Sequence, residues 1–259
     1  MNATIEYDHN RNSHLPISAE ILLRLIIEQC PAYSLVDVGC GTGTWLKAAQ
    51  HAGIKDLLGL DGIEVSPASF LAPGAPFLRQ NFTAPWNLGR RFDLCLCLEV
   101  AEHLPPESSR SLVENLGNCS DQIAFSAAIP GQPGQAHINC RWPAYWQHLF
   151  NQIGYSCEDT LRERIWDDSR IEPWYRQNLF LAKKSPKAGR EPRLRALVHP
   201  EILECACMVS RTQGEQDGRQ LENAFIRKGG LRCSDYLVMT GRVLADRLRC
   251  KLTGPNSSR

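Results

Sequence analysis

Residues 34–46 read Ser34-Leu-Val-Asp-Val38-Gly-Cys-Gly-Thr-Gly43-Thr-Trp-Leu46, and one helix further on residues 56–62 read Asp56-Leu-Leu-Gly-Leu-Asp61-Gly62. Leu35, Val36 and Val38 are apolar and favour extended backbone, so they predict a buried strand over 34–38 that runs straight into a turn. Gly39, Gly41 and Gly43 permit positive φ and let a ligand approach backbone that carries no Cβ. A helix opening near Thr44 directs its unpaired N–H groups back at that turn. The second apolar run, over 57–60, ends at Asp61, where a carboxylate can accept two hydrogen bonds from a ribose diol. Strand, glycine turn, helix, strand and acid form a cofactor-binding unit.

Spacing separates the cofactor classes. The dinucleotide fingerprint Gly-x-Gly-x-x-Gly needs a third glycine close to the helix, but Gly41-Thr-Gly43 is followed by Thr44, Trp45 and Leu46. What stands here is Asp37-x-Gly39-x-Gly41-x-Gly43, which resembles the first motif of class I S-adenosylmethionine-dependent methyltransferases. The acid suits a cofactor that brings an ammonium group rather than a pyrophosphate. The resemblance implies S-adenosyl-L-methionine as cofactor, with Asp37, Gly39, Cys40, Gly41, Gly43, Asp61 and Gly62 around it. It also implies an α/β fold: a Rossmann-like, seven-stranded, mostly parallel, doubly wound sheet whose last strand is antiparallel. A glycine turn without a ligand, or one for another nucleotide, is the alternative.

The chain has 259 residues, 43% of them hydrophobic, enough for a sizeable core. A net charge of +1 gives no electrostatic reason to expect a nucleic acid or an anionic membrane as partner. The charge is uneven: residues 1–183 carry 14 Lys and Arg against 20 Asp and Glu, and residues 184–259 carry 15 against 8. That shift, with the basic, proline-containing stretch 183–195, divides a methyltransferase domain (1–183) from a helical C-terminal extension (184–259). Within the extension, 201–208 and 234–249 read as helices, and docking on the domain or homodimerisation are both open. Eleven cysteines, an odd number with no Cys-x-x-Cys pair, read as small buried thiols rather than disulfides or a zinc site. The richest apolar segment, 21–27, is broken by Arg24, and the first residues carry no leader pattern, so a soluble cytoplasmic protein is expected.

Residues 1–15 are polar, a solvated arm or a lid. Ser18 can cap a helix over 19–30. Residues 77–79 read as a short strand; the resemblance implies that Asn81 and Phe82 beyond it meet the adenine, with the Asn81 carbonyl accepting from the exocyclic amine, although a plain turn asparagine fits as well. Residues 92–98 form an apolar central strand, and Leu98 and Glu99 at its end face the cofactor. The continuation Glu99-Val-Ala-Glu-His103-Leu is frequent in small-molecule methyltransferases, and His103 is either an active-site or a loop-holding residue. The Asp/Asn-Pro-Pro-Tyr segment of many N-methyltransferases is absent here.

A helix over 107–116, a strand over 122–126, a glycine- and proline-rich loop carrying His137, an aromatic helix over 141–150, a strand over 155–165 and a last strand over 179–182 complete the expected domain. If the sixth strand is parallel and the last antiparallel, Trp166, Asp167, Trp174, Tyr175 and Arg176 lie at the cofactor edge, facing His137, Trp142 and Tyr145. These segments together resemble a bacterial methyltransferase family of glycan and secondary-metabolite pathways, over residues 10–183. Trp142, Tyr145, Trp166, Trp174, Tyr175 and Arg176 are thus candidate substrate contacts, although half of the aromatics fit a core role. His137 is the first candidate for a general base, His103 the second and Asp167 the third; no metal is called for. The expected activity is O-methylation of a small molecule or glycan acceptor. N-methylation of an amine or amino sugar, and an inactive cofactor-binding scaffold, are the alternatives.

Overall fold

The computed structural model describes residues 7–9, 15–210, 212, 213 and 216, so the helix expected over 234–249 lies outside the described residues. The chain divides into two compact units, Met1–Ala206 and Cys207–Arg259. In the second, the described residues are helical.

The first unit is built on a seven-stranded sheet of order β3-β2-β1-β4-β5-β7-β6. The strands are β1 (Ser34–Val38), β2 (Asp56–Asp61), β3 (Phe77–Arg79), β4 (Leu94–Leu98), β5 (Gln122–Ser126), β6 (Tyr155–Glu158) and β7 (Phe180–Lys184). β1 to β5 pair in parallel, and β7 runs antiparallel between β5 and β6. Alternate strand residues feed two cores. Val36, Val38, Cys95, Cys97 and Phe125 join Leu112 and Leu116 of α3 (Ser109–Cys119) and Trp146 and Phe150 of α4 (Pro143–Gln152). Leu35, Leu94, Leu96 and Ala124 join Leu22 and Ile26 of α1 (Pro16–Gln29), Leu46 of α2 (Thr44–His51), Leu161 of α5 (Thr160–Ile165) and Tyr175 of α6 (Pro173–Asn178). Burial on both faces is why the central strands are continuous apolar runs. The direction of chain progression reverses between β1 and β4, so the ligand crevice of such a sheet opens at their carboxyl ends.

Three local expectations are corrected. α1 begins at Pro16, whose missing N–H suits a first helical position, while Ser18 lies inside the helix, fully buried, its Oγ accepting from the Glu172 N–H at 3.4 Å. The strand expected over 155–165 stops at Glu158, and 160–165 is helix: Leu161 and Ile165, four residues apart, bury one face, and the intervening Arg and Glu favour helix. The stretch after 183 is not a free linker. Glu191 accepts hydrogen bonds from Gln147, Asn151, Ser156 and the Cys157 N–H, and Leu194 and His199 are buried. Burial works against the Glu191 charge, but the bonds from Asn151 and Gln147 outweigh it and hold the carboxyl down to about 2. The boundary at 183 therefore marks a change of composition, whereas packing in the first unit continues to Ala206.

Among the described residues all nine cysteines are free: six are buried, Cys140 is half-buried, and Cys205 and Cys207 are exposed. No helix among the described residues is long and apolar enough to cross a membrane.

Candidate active site

A cavity of about 1160 Å³ opens at the carboxyl ends of β1, β2 and β4. One side is the glycine turn. Gly39, Gly41 and Gly43 have φ of 80, 50 and 83°, and the Gly39 and Cys40 N–H groups both donate to the Leu60 carbonyl at the end of β2. Asp61 closes the turn through backbone: Oδ2 accepts the Gly41 N–H at 2.8 Å and Oδ1 the Ile63 N–H at 2.9 Å. Each of its oxygens accepts one backbone bond and has a second lone pair to offer, and Asp61 lines the cavity. Asp37 lies beneath the turn, outside the cavity wall, with Oδ2 buried and unpartnered. Burial, and then the Asp61 carboxylate, push its carboxyl up to about 8. The Cys40 thiol is driven well above its ordinary range by burial and by Asp37, so it is an inert filler of the turn.

Residues 7–9 cross the cavity. The His9 ring lies beside Gly41 and 3.4 Å from Asp61 Oδ1, Asp8 exchanges two backbone-to-amide hydrogen bonds with Gln135, and the Tyr7 ring stacks edge-on at 4.7 Å from His103. Tyr7 and His9 are half-buried cavity lining rather than solvated arm.

At the end of β4, Glu99 adopts φ 54°, a conformation that side-chain-bearing residues rarely take. Its N–H is held by the Ser126 carbonyl and hydroxyl, and its carboxylate accepts from Gln132 Nε2 and Asn178 Nδ2, each at 3.1 Å. Gln132, Gln177 and Asn178 are bonded to one another and buried, so the Glu99 carboxylate is fixed from behind. The turn Ala101–His103 follows. Glu102 is fully buried, and burial followed by the Glu99 charge drives its carboxyl well above the usual range. His103 Nδ1 lies 3.4 Å from the Ala136 carbonyl and His137 Nδ1 3.0 Å from the Gln132 carbonyl. A carbonyl can only accept, so each Nδ1 carries the proton and each Nε2 the lone pair. The two rings are 5.1 Å apart. Burial, and then the His137 ring, push His103 down to about 4.

Of the residues singled out by the sequence, Gly39, Cys40, Gly41, Asp61, Gly62, Asn81, Phe82, Leu98, Glu99, His103, His137, Trp174 and Tyr175 are in the cavity wall, and Gly43 lies just behind it. Asn81 forms a turn: its Oδ1 accepts both the N–H and the hydroxyl of Thr83, leaving only Nδ2 for a ligand, so the carbonyl is already engaged. Trp142, Tyr145, Trp166, Asp167 and Arg176 are outside the wall. Trp142 caps α4 at the surface and Tyr145 packs on the core beneath Arg141. Arg176 is buried, donating to the Trp166 carbonyl and Glu201 and lying beside His199, whose Nε2 faces the same carbonyl, while the Trp166 ring stacks on His199. Asp167 is exposed. The reason is α5: the chain leaves the sheet at 158 and returns through two helices, so the shared edge inferred for 166–176 delivers only Trp174 and Tyr175 to the cavity. Sequence reasoning missed Glu102, Gln132, Tyr7 and His9. Of these, Glu102 carried a signal, an acid between Glu99 and His103.

A family model described as a methyltransferase domain matches residues 7–164. The chain belongs to this methyltransferase family. No curated protein matches the methyltransferase. Among solved structures, DesVI of Streptomyces venezuelae is similar with a TM-score of 0.50 and 16% identity, over 70% of this chain and 100% of that one. The plantazolicin methyltransferase BpumL, solved with a desmethyl substrate analogue and S-adenosylhomocysteine (SAH), gives 0.50 and 16% over 68% and 87%. The methyltransferase domain of bacterial CtHen1 gives 0.50 and 13% over 66% and 100%. At these identities the likeness is one of fold.

S-adenosylmethionine is the cofactor of the family, and the site fits it. A Cβ on Gly39 would stand 2.3 Å from Val100 Cγ2, so the turn is built around bare backbone at the cavity wall. The unpartnered Asp37 oxygen gives the region under the turn a preference for positive charge.

Proposed function

We propose that this methyltransferase acts on a hydroxyl oxygen of a small molecule or sugar, with the His103 and His137 pair at the acceptor. The observation that carries this reading is that both imidazoles line the cavity and each sets its Nδ1 against a backbone carbonyl, which leaves Nε2 as the lone-pair nitrogen. When bound, S-adenosylmethionine supplies a sulfonium methyl group that is already electrophilic. Asp61 would hold the ribose, residues 81–83 the adenine and the turn at 39–41 the amino-acid end. The remaining tasks for the protein are to align the acceptor, exclude water and help the hydroxyl lose its proton. Alignment can lower a barrier by about 7–11 kcal/mol, and a placed base contributes roughly 10²–10⁴-fold. In the simplest form His137 Nε2 takes the proton and His103 sits beside it. Trp174, half-buried in the wall, offers an apolar face to a sugar ring.

The test is a panel of hydroxylated and amino acceptors with labelled methyl donor, followed by His137→Ala on the best acceptor. Label on oxygen, and a loss of about a hundredfold or more in kcat for the variant, support the reading. Label on nitrogen would replace it, and near-normal turnover with an unchanged pH profile would remove His137 from its role.

A further inference from the structure

Glu102 presents a problem that the site as described does not solve. Both of its carboxylate oxygens are inaccessible to solvent and accept no hydrogen bond of ordinary geometry, with the Glu99 carboxyl, the Ala128 backbone and its own backbone as the polar groups beside them. The charged group that acts most on it is another acid, Glu99, and no Lys or Arg side chain pairs with it among the described residues. An unpaired buried carboxylate is disfavoured by several kcal/mol. Beside it stand the two imidazoles. One donor atom each from Glu102, His103 and His137 lies within 4.8 Å of the others.

We propose that Glu102, His103 and His137 bind a divalent first-row transition cation that takes the acceptor hydroxyl at an open position. Bonds of about 2.0–2.2 Å to nitrogen and oxygen would draw these donors together by a modest side-chain adjustment. The histidines have the outer partners that ligands need: each sets its Nδ1–H against a backbone carbonyl, which fixes the tautomer and leaves Nε2 for a metal, and the His137 ring, whose Nε2 edge lies against Gly134, turns slightly to reach it. Two imidazoles and one carboxylate suit Zn²⁺, Co²⁺, Fe²⁺ or Mn²⁺ better than Mg²⁺ or Ca²⁺. Three protein ligands leave room for a substrate oxygen, and all three residues line the cavity.

The role in catalysis rests on the hydroxyl reading above, and it changes how the histidines act: they hold the cation, and the cation acidifies the hydroxyl. The O–H bond breaks and the proton leaves to bulk water, so His137 need not receive it. The electron pair left on oxygen forms the bond to the methyl carbon, and the C–S bond breaks with its pair going to sulfur. No oxidant or reductant is needed.

The decisive measurement needs no turnover. The full chain, in a Cys205→Ser, Cys207→Ser background that removes the exposed thiols among the described residues, is freed of metal with a chelator. It is then titrated with Co²⁺ while its visible absorption and heat are recorded. The expected result is one equivalent bound with ligand-field bands, and an affinity lowered about tenfold or more in Glu102→Gln and in His103→Asn. SAH affinity reports folding, and it stays within about threefold in both variants. Absence of stoichiometric Co²⁺ binding, or binding that both variants retain in full, overturns the site even if label then goes to oxygen. Co²⁺ bound as expected with label found only on nitrogen keeps the cation site and overturns its role at a hydroxyl.

Discussion

Around the glycine turn the chain is held by backbone: Gly39 and Cys40 donate to the Leu60 carbonyl, and Asp61 takes the Gly41 and Ile63 N–H groups. Around α5, α6 and residues 191–202 it is held by buried polar side chains. Arg162 donates to the Gln177 and Arg195 carbonyls, Arg176 reaches Trp166, His199 and Glu201, and Glu191 gathers five donors. The first region leaves its surface free for a ligand, because the polar groups that hold it are main-chain. The second uses most of the polar atoms of its side chains in holding itself together, with Arg162 Nε and Arg176 Nε left over in the interior. Residues rich in functional chemistry, such as Arg176 and Trp166, are therefore structural here, while the plainest residues, glycines, form the cofactor wall.

The comparison breaks most easily at Gly39. Gly39→Val sets a Cβ 2.3 Å from Val100 Cγ2 at φ +80°, and strain plus overpacking are expected to cost about 2–5 kcal/mol in stability. SAH binding is expected to vanish in calorimetry. Gly41→Ala meets only the His9 ring, at 3.3 Å, but at φ +50°, so it is expected to cost about 1–2 kcal/mol and serves as the milder, folded variant in which binding weakens. In the second region Arg176→Leu strips partners from Trp166 and Glu201 and is expected to lower stability by about 2–4 kcal/mol. SAH affinity should stay within about threefold. Loss of cofactor binding in that variant would show that the two regions work as one.

Asp37 sharpens the comparison through pH. Burial, and then the Asp61 charge, raise its carboxyl to about 8, well above the ordinary carboxylate range. The folded state thus holds the proton more tightly, and its contribution to stability is complete below pH 4 and declines as pH rises toward 8. The slope attributable to this group approaches about 1.4 kcal/mol per pH unit, and urea unfolding of Asp37→Asn should be flatter over the window. Bound cofactor, through its ammonium group, should lower this pKa, so binding between pH 5 and 8 should release a proton that buffers of different ionisation enthalpy detect. The smallest effect belongs to Asn81→Ala, which removes the turn bonds to Thr83. It is expected to cost about 0.5–1.5 kcal/mol and to weaken SAH less than tenfold.

The same contrast governs what the sequence reveals. β1, β3 and β5 have the bounds expected: β1 and β5 are buried along most of their length and read as short, mainly apolar runs, while β3 is a half-exposed edge strand of three residues next to Pro76. The glycine turn and Asp61 are legible because their partners are within thirty residues. α5 was misread as strand since six residues cannot display a helical period clearly against a short extended one. The destinations of Trp166 and Arg176 depend on His199 and Glu201, more than twenty residues away and across a change of composition, which no local spacing encodes. Glu102 was hidden by its neighbours: only the burial of both its oxygens separates it from an ordinary acid on a turn.

The distribution of thiols gives this fold a built-in clock. Cys95 and Cys97 sit at the centre of the sheet, with burial raising both far above the range in which a thiolate forms, while Cys205 and Cys207 lie at the surface. Among the described thiols, a reagent offered to the native protein would label Cys205 and Cys207 at once and the six buried ones only as the elements that cover them open. Peptide mapping of Cys95 and Cys97 in the slow phase would count openings of β4, the strand that leads into Glu99, and any ligand that closes the cavity would register as a lengthening of the interval.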